Sequence, residues 1–188
     1  SGGSLTIEQA FDGTICDDAG ILDAVMTDVT QLGPQPFTYM TGMIPELSVM
    51  CIPGWFNGTE EDYIKFDKEI FDVMSRIFEK YGLKYIAGDY PGQSAFFGNG
   101  EPVLTLDSFK GRMMRVSGTD QIKAVEAWGG AATIIPLPDL TTALDRGTVD
   151  GAMSGYQLIH VFSFDEIIDY AVILPTYEPA HGFFVTMD

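Results

Sequence analysis

The alternation of strand-like and helix-like segments between residues 106 and 153 constrains the fold more than any other feature of the chain. Short apolar runs typical of buried strands occupy residues 112–116, 131–137 and 149–153. Segments of helical character separate these runs and end near Trp128 and Asp145. Strands that alternate with helices favour a parallel sheet with helices on its faces. This part of the chain is therefore predicted to be an α/β unit.

Two helices are predicted upstream of this unit. Asp17 and Asp18 are suited to capping a helix over residues 19–28. Thr59 precedes the clearest helix of the chain, in which apolar residues recur at three- and four-residue steps over residues 63–81. The aromatic residues of that stripe are expected to form core and not a ligand site.

The composition changes at residues 89–100, where small and aromatic residues lie between glycines. A short apolar strand at residues 83–88 comes immediately before this change. Together these features predict an extended strand that crosses from one structural unit to a second at about residue 90.

Acidic residues dominate the charge of the chain, with 27 Asp and Glu against ten Lys and Arg and a formal net charge of -17. This balance argues against binding to nucleic acid or to anionic membrane surfaces. No apolar run approaches the roughly 18–20 residues that a membrane span needs. We expect the acidity to serve solubility in an extracytoplasmic or saline setting.

The positive charge is concentrated, because Lys110, Arg112, Arg115 and Lys123 place four of the ten cations within fourteen residues. On a strand, Arg112 and Arg115 point to opposite faces, since they lie an odd number of positions apart. Only one of them can face a cleft. A planar guanidinium holds a carboxylate through two parallel hydrogen bonds, which a lysine cannot do. A small anion is therefore the expected partner of one arginine.

Five segments carry a family resemblance. LDSFKGRMMRVSG and ALDRGTVDG resemble the "LKG-x-K-[IM]-R-V" strand and the "ALQ-x-G-x-VDG" segment of the solute receptors of tripartite ATP-independent periplasmic (TRAP) transporters, the C4-dicarboxylate-receptor-like family. ILDAVMTDVTQLG, IPELSVMCIPGWF and FDEIIDYAVIL are similar to further motifs of these receptors in the family order. The resemblance covers the chain from about residue 19 to its end.

The resemblance implies an α/β, two-lobed periplasmic-binding-protein-like fold, in which each lobe is a mostly parallel sheet flanked by helices. Residues 1–91 would form lobe I, residues 92–176 lobe II, and residues 177–188 a return segment toward lobe I. Lobe I would lack its first strand, and an export signal and terminal helices would lie outside this chain, which is expected to be an internal fragment. The ligand cleft would lie between the lobes, which would close about hinges near residues 87–90 and 176–181.

In this family, the arginine at the position of Arg115 holds a substrate carboxylate; an exposed or interlobe salt bridge is the structural alternative. Many members carry a second arginine in a "G-x-R-x-[FW]-T-N" strand, where GQSAFFGN places Ser94 with Gln93 beside it. Many also carry an asparagine in "VDG-x-E-N-P", where GAMSGYQ places Ser154 and then Tyr156. One cationic anchor remains, which favours a monocarboxylate with a hydroxyl, keto or apolar tail over a dicarboxylate.

Side chains other than Arg115 are candidates with open alternatives. Gln93, Ser154 and Tyr156 could donate hydrogen bonds to a ligand, and a structural role for each is equally open. Unpaired buried polar groups are costly, so a pocket built from them would reject ligands that lack the matching group. Phe96 could line the cleft, whereas Trp128, at a helix end, is expected to pack in the core.

Three functions remain open at this point. The first is a receptor that captures a small organic acid, needs no cofactor and delivers the acid to TRAP membrane subunits from the periplasm. The second is a ligand-sensing module that signals to a partner domain. The third, a carboxylate-dependent hydrolase or lyase, has no nucleophile motif, metal-ligand spacing or phosphate loop to support it.

The cysteines and histidines do not suggest a metal or redox site. Cys16 and Cys51 have no Cys-x-x-Cys spacing and no nearby histidine, and two buried free thiols are favoured over a disulfide. His160 and His181 lie far apart in the sequence, and surface or structural roles are expected for both.

Overall fold

The computed structural model describes residues 6–10, 13–89, 92–177 and 181–187. Within these residues, eight strands form two sheets. The strands are β1 (Gly33–Pro36), β2 (Leu83–Gly88), β3 (Gln93–Gly98), β4 (Met113–Val116), β5 (Ala131–Ile134), β6 (Gly151–Gly155), β7 (Tyr170–Tyr177) and β8 (His181–Thr186). The α-helices are α1 (Ile21–Met26), α2 (Phe37–Met40), α3 (Glu60–Glu79), α4 (Thr119–Ala127), α5 (Leu140–Asp145) and α6 (Gln157–Val161).

The first sheet has three strands in the order β1-β8-β2, and β8 runs antiparallel to both neighbours. Helix α3 packs against β2 and confirms the helix predicted after Thr59. A capping box starts it, because the Thr59 hydroxyl accepts from the backbone N–H of Asp62 and the Asp62 carboxylate accepts from that of Thr59. Its apolar face joins a core that includes Phe78 and Phe184.

The second sheet has five strands in the order β5-β4-β6-β3-β7. Strand β4 runs parallel to β5 and β6, whereas β3 runs antiparallel to β6 and β7. Helices α4 and α5 connect the three parallel strands. Side chains on the two faces of this sheet enter different cores, one built around Phe97 and Leu144 and the other around Met114 and Val125. The α/β class predicted from the sequence is confirmed.

Two segments of chain cross between the sheets. The chain leaves the first sheet after β2 and enters the second at β3, and it returns from β7 to β8. The crossing segments run in opposite directions, so β3 pairs with β7, and β2 with β8, in antiparallel fashion. The expectation of two mostly parallel sheets is therefore wrong for the described strands, because parallel pairing is confined to the two ladders of β4.

Several predicted boundaries shift by a few residues. The strand predicted to begin at residue 149 begins at Gly151, because Asp150 is engaged with the start of β4 through backbone and side-chain hydrogen bonds. The helix predicted over residues 19–28 is a 3₁₀ turn, Asp18–Gly20, followed by α1. The proposed division at residue 91 falls on residues outside the described part of the chain, and the lobe limits stay a prediction. No helix in the described ranges has the length and apolar character of a membrane span.

Candidate functional site

Arg115 lies at the carboxyl end of the parallel part of the second sheet. It is the third residue of β4 and is paired with Thr133 of β5 and Ala152 of β6. Met114 and Val116 enter the core beneath helix α4. Arg115 lies between them in an extended strand, so it projects from the opposite face. Its predicted position near a strand end is confirmed.

The Arg115 guanidinium is buried and contacts backbone oxygens of the two neighbouring strand segments. Its side chain is only 2% exposed. Nε donates a hydrogen bond to the backbone oxygen of Ile135 at 2.8 Å, and Nη1 donates a longer one to the backbone oxygen of Met153 at 3.5 Å. These contacts fix the plane of the guanidinium, which is the property that two-point recognition of a carboxylate requires.

Tyr39, from the first part of the chain, lies beside Arg115. It belongs to α2, which follows β1 directly. The Tyr39 phenol lies close enough to the Arg115 guanidinium for the cation to lower the pKa of the phenol. Burial raises the pKa of the Tyr39 phenol; Arg115 opposes this rise, and the carboxylates of Asp18 and Asp17 add to it. One phenol thus lies in the fields of a cation and of two acids.

A second contact between the two parts of the chain lies at the start of α4. A Cβ at Gly118 would stand 2.9 Å from the backbone oxygen of Thr38, so only glycine permits this approach. Helix α4 also contacts the 3₁₀ helix Pro45–Cys51. Elements of the first part of the chain therefore cover the carboxyl edge of the second sheet, where Arg115 lies.

Asp17 and Asp18 lie on a turn that is hydrogen-bonded to β1 of the first sheet. Asp17 caps the 3₁₀ turn Asp18–Gly20 by accepting a hydrogen bond from the backbone N–H of its last residue at 2.9 Å. Nε2 of Gln35, a residue of β1, donates to the backbone oxygens of the first two residues of the turn. Gln35 is 0% exposed, and its Oε1 has no hydrogen-bond partner among the described residues.

The polar candidates from the sequence divide between two faces of the sheet. Ser154 is buried and lies two residues beyond Ala152, so it shares the face of Arg115. Ser94 lies on the other face, and its buried Oγ has no hydrogen-bond partner in the part of the chain that the structure describes. Gln93 begins β3 at the same edge of the sheet.

Tyr156 and Phe96 lie in surroundings that differ from those of Ser154, Ser94 and Gln93. Tyr156 is 44% exposed just before α6, and its backbone N–H donates to the backbone oxygen of Gln93. The Phe96 ring packs edge-on against Phe109 and Trp128, in the core on the face opposite Arg115. This placement does not agree with a role for Phe96 in lining the cleft, because alternation along β3 turns its ring away from the arginine. The expected core packing of Trp128 is confirmed.

Asp89 and His181 connect the two crossing segments. The backbone N–H of His181 donates to Asp89 Oδ1 at 3.2 Å, and Nδ1 of the same histidine lies 3.1 Å from Asp89 Oδ2. The structural role expected for His181 is therefore confirmed. Residues 90 and 178–180 of the predicted hinges lie outside the described residues.

The cavities, acidic or histidine clusters and cysteines of the described residues give weaker support for a ligand site than the surroundings of Arg115 do. A surface groove of about 270 Å³ is lined by residues 111–113 and 129–131, at the opposite end of β4. A smaller cavity of about 110 Å³ lies between α3 and the end of β2. No cluster of three or more His, Cys, Asp or Glu suited to a metal is found in the described ranges. Cys16 and Cys51 are free thiols, and only Cys51 is buried.

Sequence reasoning missed three contributors to the region around Arg115. Tyr39 lies in a segment rich in Pro, Met and Gly that has no helical or strand periodicity. The sequence indicates only a helix-capping role for Asp17 and Asp18, whereas their carboxylates also raise the pKa of the Tyr39 phenol. Gln35 has no local signal, since its role depends on contact with a turn 16 and 17 residues earlier.

Comparisons with known proteins identify the family of the chain. The family model of bacterial extracellular solute-binding proteins, family 7 (DctP), matches residues 1–188. The ectoine/5-hydroxyectoine-binding periplasmic protein UehA of Ruegeria pomeroyi is 22% identical over 165 residues, which are 84% of this chain and 48% of that protein. The chain spans about half the length of the curated relatives it matches.

Two solved structures show the same fold. A TRAP periplasmic solute-binding protein from Roseobacter denitrificans with bound β-D-glucuronate has a TM-score of 0.90 at 17% identity, covering 99% of this chain and 62% of that one. A second, from Desulfovibrio salexigens with bound orotic acid, has a TM-score of 0.85 at 22% identity, covering 93% and 56%. Because the family model matches residues 1–188, the chain belongs to family 7 of the bacterial extracellular solute-binding proteins, a family of receptors and not of enzymes.

Proposed function

We propose that this chain is the ligand-binding part of an extracytoplasmic receptor that holds a small organic acid, favouring a monocarboxylate, through Arg115. The observation that carries the proposal is that one buried guanidinium on β4 contacts the backbone oxygens of Ile135 and Met153 and lies beside Tyr39 from the first part of the chain. A site built from both parts of the chain links ligand contact to their relative position.

The chemistry of Arg115 supports a carboxylate ligand. A guanidinium is more weakly hydrated than an ammonium group and matches the two oxygens of a carboxylate. Exclusion of water from such an ion pair strengthens it. Ser154, on the same face, and Gln93, at the same edge, are the polar residues that we propose as additional ligand contacts.

The preference for a single carboxylate has two supports. Ser94, which stands where many family members have a second arginine, cannot supply a second cation to the ligand. Solved relatives hold glucuronate or orotic acid, each of which carries one carboxyl group. The bound molecule of UehA, ectoine or 5-hydroxyectoine, belongs to that protein and widens the panel of acids to be tested.

The partners follow from the family. We propose that the whole protein acts in the periplasm and delivers its ligand to the membrane subunits of a TRAP transporter. Closure about the crossing segments would bury the ion pair and form the surface that these subunits recognise.

A thermal-shift screen of the full-length protein against small carboxylates tests the proposal. The panel should contain uronates, hydroxy and keto acids, aromatic acids, dicarboxylates, and sulfonate analogues. A ligand at a hundredfold excess over its dissociation constant stabilises the native state by ~2.7 kcal/mol and raises the melting temperature. A response to monocarboxylates would support the proposal. No response to any acid, or multiple turnovers of one, would contradict it.

A further inference from the structure

The turn between β4 and α4 lies closer to the first part of the chain than an ordinary side chain would allow. A Cβ built on Gly118 would lie 2.9 Å from the backbone oxygen of Thr38 and 3.0 Å from the Cβ of the same residue. Gly118 comes three residues after Arg115, and Thr38 comes directly before Tyr39. The same two segments therefore meet at two neighbouring points, of which one is the proposed anion site and the other is a close packing contact.

The requirement for glycine at this position comes from the contact and not from the local backbone. Gly118 has a φ of -158° and a ψ of 168°, which is extended backbone that any residue can adopt. The three atoms nearest to an added Cβ all belong to Thr38. A larger residue would therefore fit the turn itself but would collide with the first part of the chain.

Both sides of the contact are held by their own elements. The backbone N–H of Ser117 donates to Oε1 of Gln121 at 2.7 Å, and Gln121 is fully buried in α4. On the other side, the backbone oxygen of Thr38 accepts from the Thr41 hydroxyl at 3.3 Å, and Thr38 is buried. Because the nearest atom is a backbone oxygen and not the end of a flexible side chain, a rotamer change cannot relieve the collision. The two parts of the chain would have to move apart.

We propose that Gly118 is a positioning residue, which sets how closely the two parts of the chain approach and thereby how far the site at Arg115 can close. The inference rests on the proposed function, because it concerns closure around the same ligand. A side chain at position 118 would hold the first part of the chain away from the carboxyl edge of the second sheet. The closed form would then be less populated, and the apparent dissociation constant rises as the binding-competent fraction falls.

The test compares Gly118→Ala and Gly118→Val with the wild type by calorimetry on the full-length protein, with D-glucuronate as the probe. We expect the dissociation constant to rise roughly tenfold in the alanine variant and further in the valine variant, because a larger side chain demands a larger separation. Small-angle X-ray scattering gives a second readout, since the wild type should contract on binding and the valine variant should contract less. Circular dichroism of the ligand-free variants checks that the fold is retained.

Two matched controls separate the steric contact from other effects. Gly42→Ala adds the same methyl group in the first part of the chain, where a Cβ would meet nothing within 4 Å. Its affinity should stay within about twofold of the wild type. Thr38→Val keeps the shape of the side chain and removes a hydroxyl that has no hydrogen-bond partner among the described residues. This variant should also bind as the wild type does, because the contact acts through shape.

The outcomes separate this inference from the proposed function. An unchanged dissociation constant in both Gly118 variants, or an equal loss in Gly42→Ala or Thr38→Val, would overturn the inference while the wild type still bound its acid. If D-glucuronate is not bound, the strongest-binding acid of the thermal-shift screen replaces it as the probe. A wild type that binds no acid of the screen would contradict the proposed function, and the inference would fall with it.

Discussion

Arg112 and Arg115 lie three residues apart, at opposite ends of strand β4, and they meet different surroundings. Arg112 is half-buried beside a surface groove, where Nη1 donates to the Tyr170 hydroxyl at 3.2 Å and the guanidinium lies 5.9 Å from the ring centroid. Arg115 is buried at the edge that the first part of the chain covers.

Because both residues are arginines, their different surroundings come from their positions in the sheet and not from the residue type. The carboxyl ends of parallel strands are where α/β sheets bind ligands, and here the crossing segments place the first part of the chain over that edge. The other end of β4 has the same kind of cation beside a surface groove that is lined by residues 111–113 and 129–131. Substitutions at the two ends of β4 test this contrast.

Removal of the Arg115 guanidinium should have the largest effect. Arg115→Ala should weaken binding of the best acid from the screen roughly 100-fold or more (~2.7 kcal/mol), because a buried charge pair loses one partner. Arg115→Lys should also bind weakly, since it keeps the charge but not the two-point geometry. Calorimetry gives the affinity, and circular dichroism checks the fold.

Arg112→Ala is the matched control at the other end of the strand. Its affinity for the same acid should stay within about twofold of the wild type, because the residue is remote from the proposed site. The reverse pattern, with binding lost in Arg112→Ala and retained in Arg115→Ala, would move the anion site to the groove.

Tyr39→Phe should have a smaller effect on binding. Loss of the hydroxyl removes a polar group beside the Arg115 guanidinium, and a polar contact of this kind is worth ~1 kcal/mol. We expect affinity to fall by about threefold to tenfold, with little change in the far-ultraviolet spectrum. Tighter binding in this variant would mean that the hydroxyl competes with the ligand.

Asp150→Ala should lower the free energy of unfolding and leave the ligand affinity unchanged. The Asp150 carboxylate accepts a hydrogen bond from the backbone N–H of Met113 at 2.7 Å, at the end of β4 away from the site. Because the group is exposed and water can replace it, we expect a loss of about 1 kcal/mol in the free energy of unfolding. Urea titration measures this loss. A drop in affinity of more than a few fold would show that the two ends of the strand are coupled.

Tyr170→Phe should have the smallest effect. It removes only the hydroxyl that accepts from Arg112, while the ring stays beneath the guanidinium. The expected change in unfolding free energy is about 0.5 kcal/mol, at the lower end of the range for a solvent-accessible hydrogen bond. The same urea titration measures it, and a loss above ~2 kcal/mol would show that Arg112 is a main structural support of the sheet.

The parts of the fold that could be predicted are those with a local signal. Helix α3 follows from its apolar spacing and its cap at Thr59, and β4 follows from the run RMMRV. Arg115 could be picked out because it lies in that run and because the family motif surrounds it. The sheet directions could not be predicted from alternation alone, since β3, β7 and β8 take theirs from the two crossings of the chain.

The candidate site shows the same division. Ser154 shares the face of Arg115, as its spacing in β6 allows. Phe96 lies on the opposite face, where its ring packs against Phe109 and Trp128 from other elements. A residue that is chosen by motif position alone can fall on either face of a sheet, since a shift of one residue reverses the face.

By itself, the sequence determined the family, the α/β class and the arginine at the end of β4, because each depends on residues close together in the chain. Tertiary structure alone decided what surrounds that arginine. Tyr39 lies 76 positions before Arg115 and the acidic turn lies further still, and no periodicity connects them. Tyr39 lies beside Arg115 because the chain passes twice between the two sheets and brings its first part over the carboxyl edge of the second sheet.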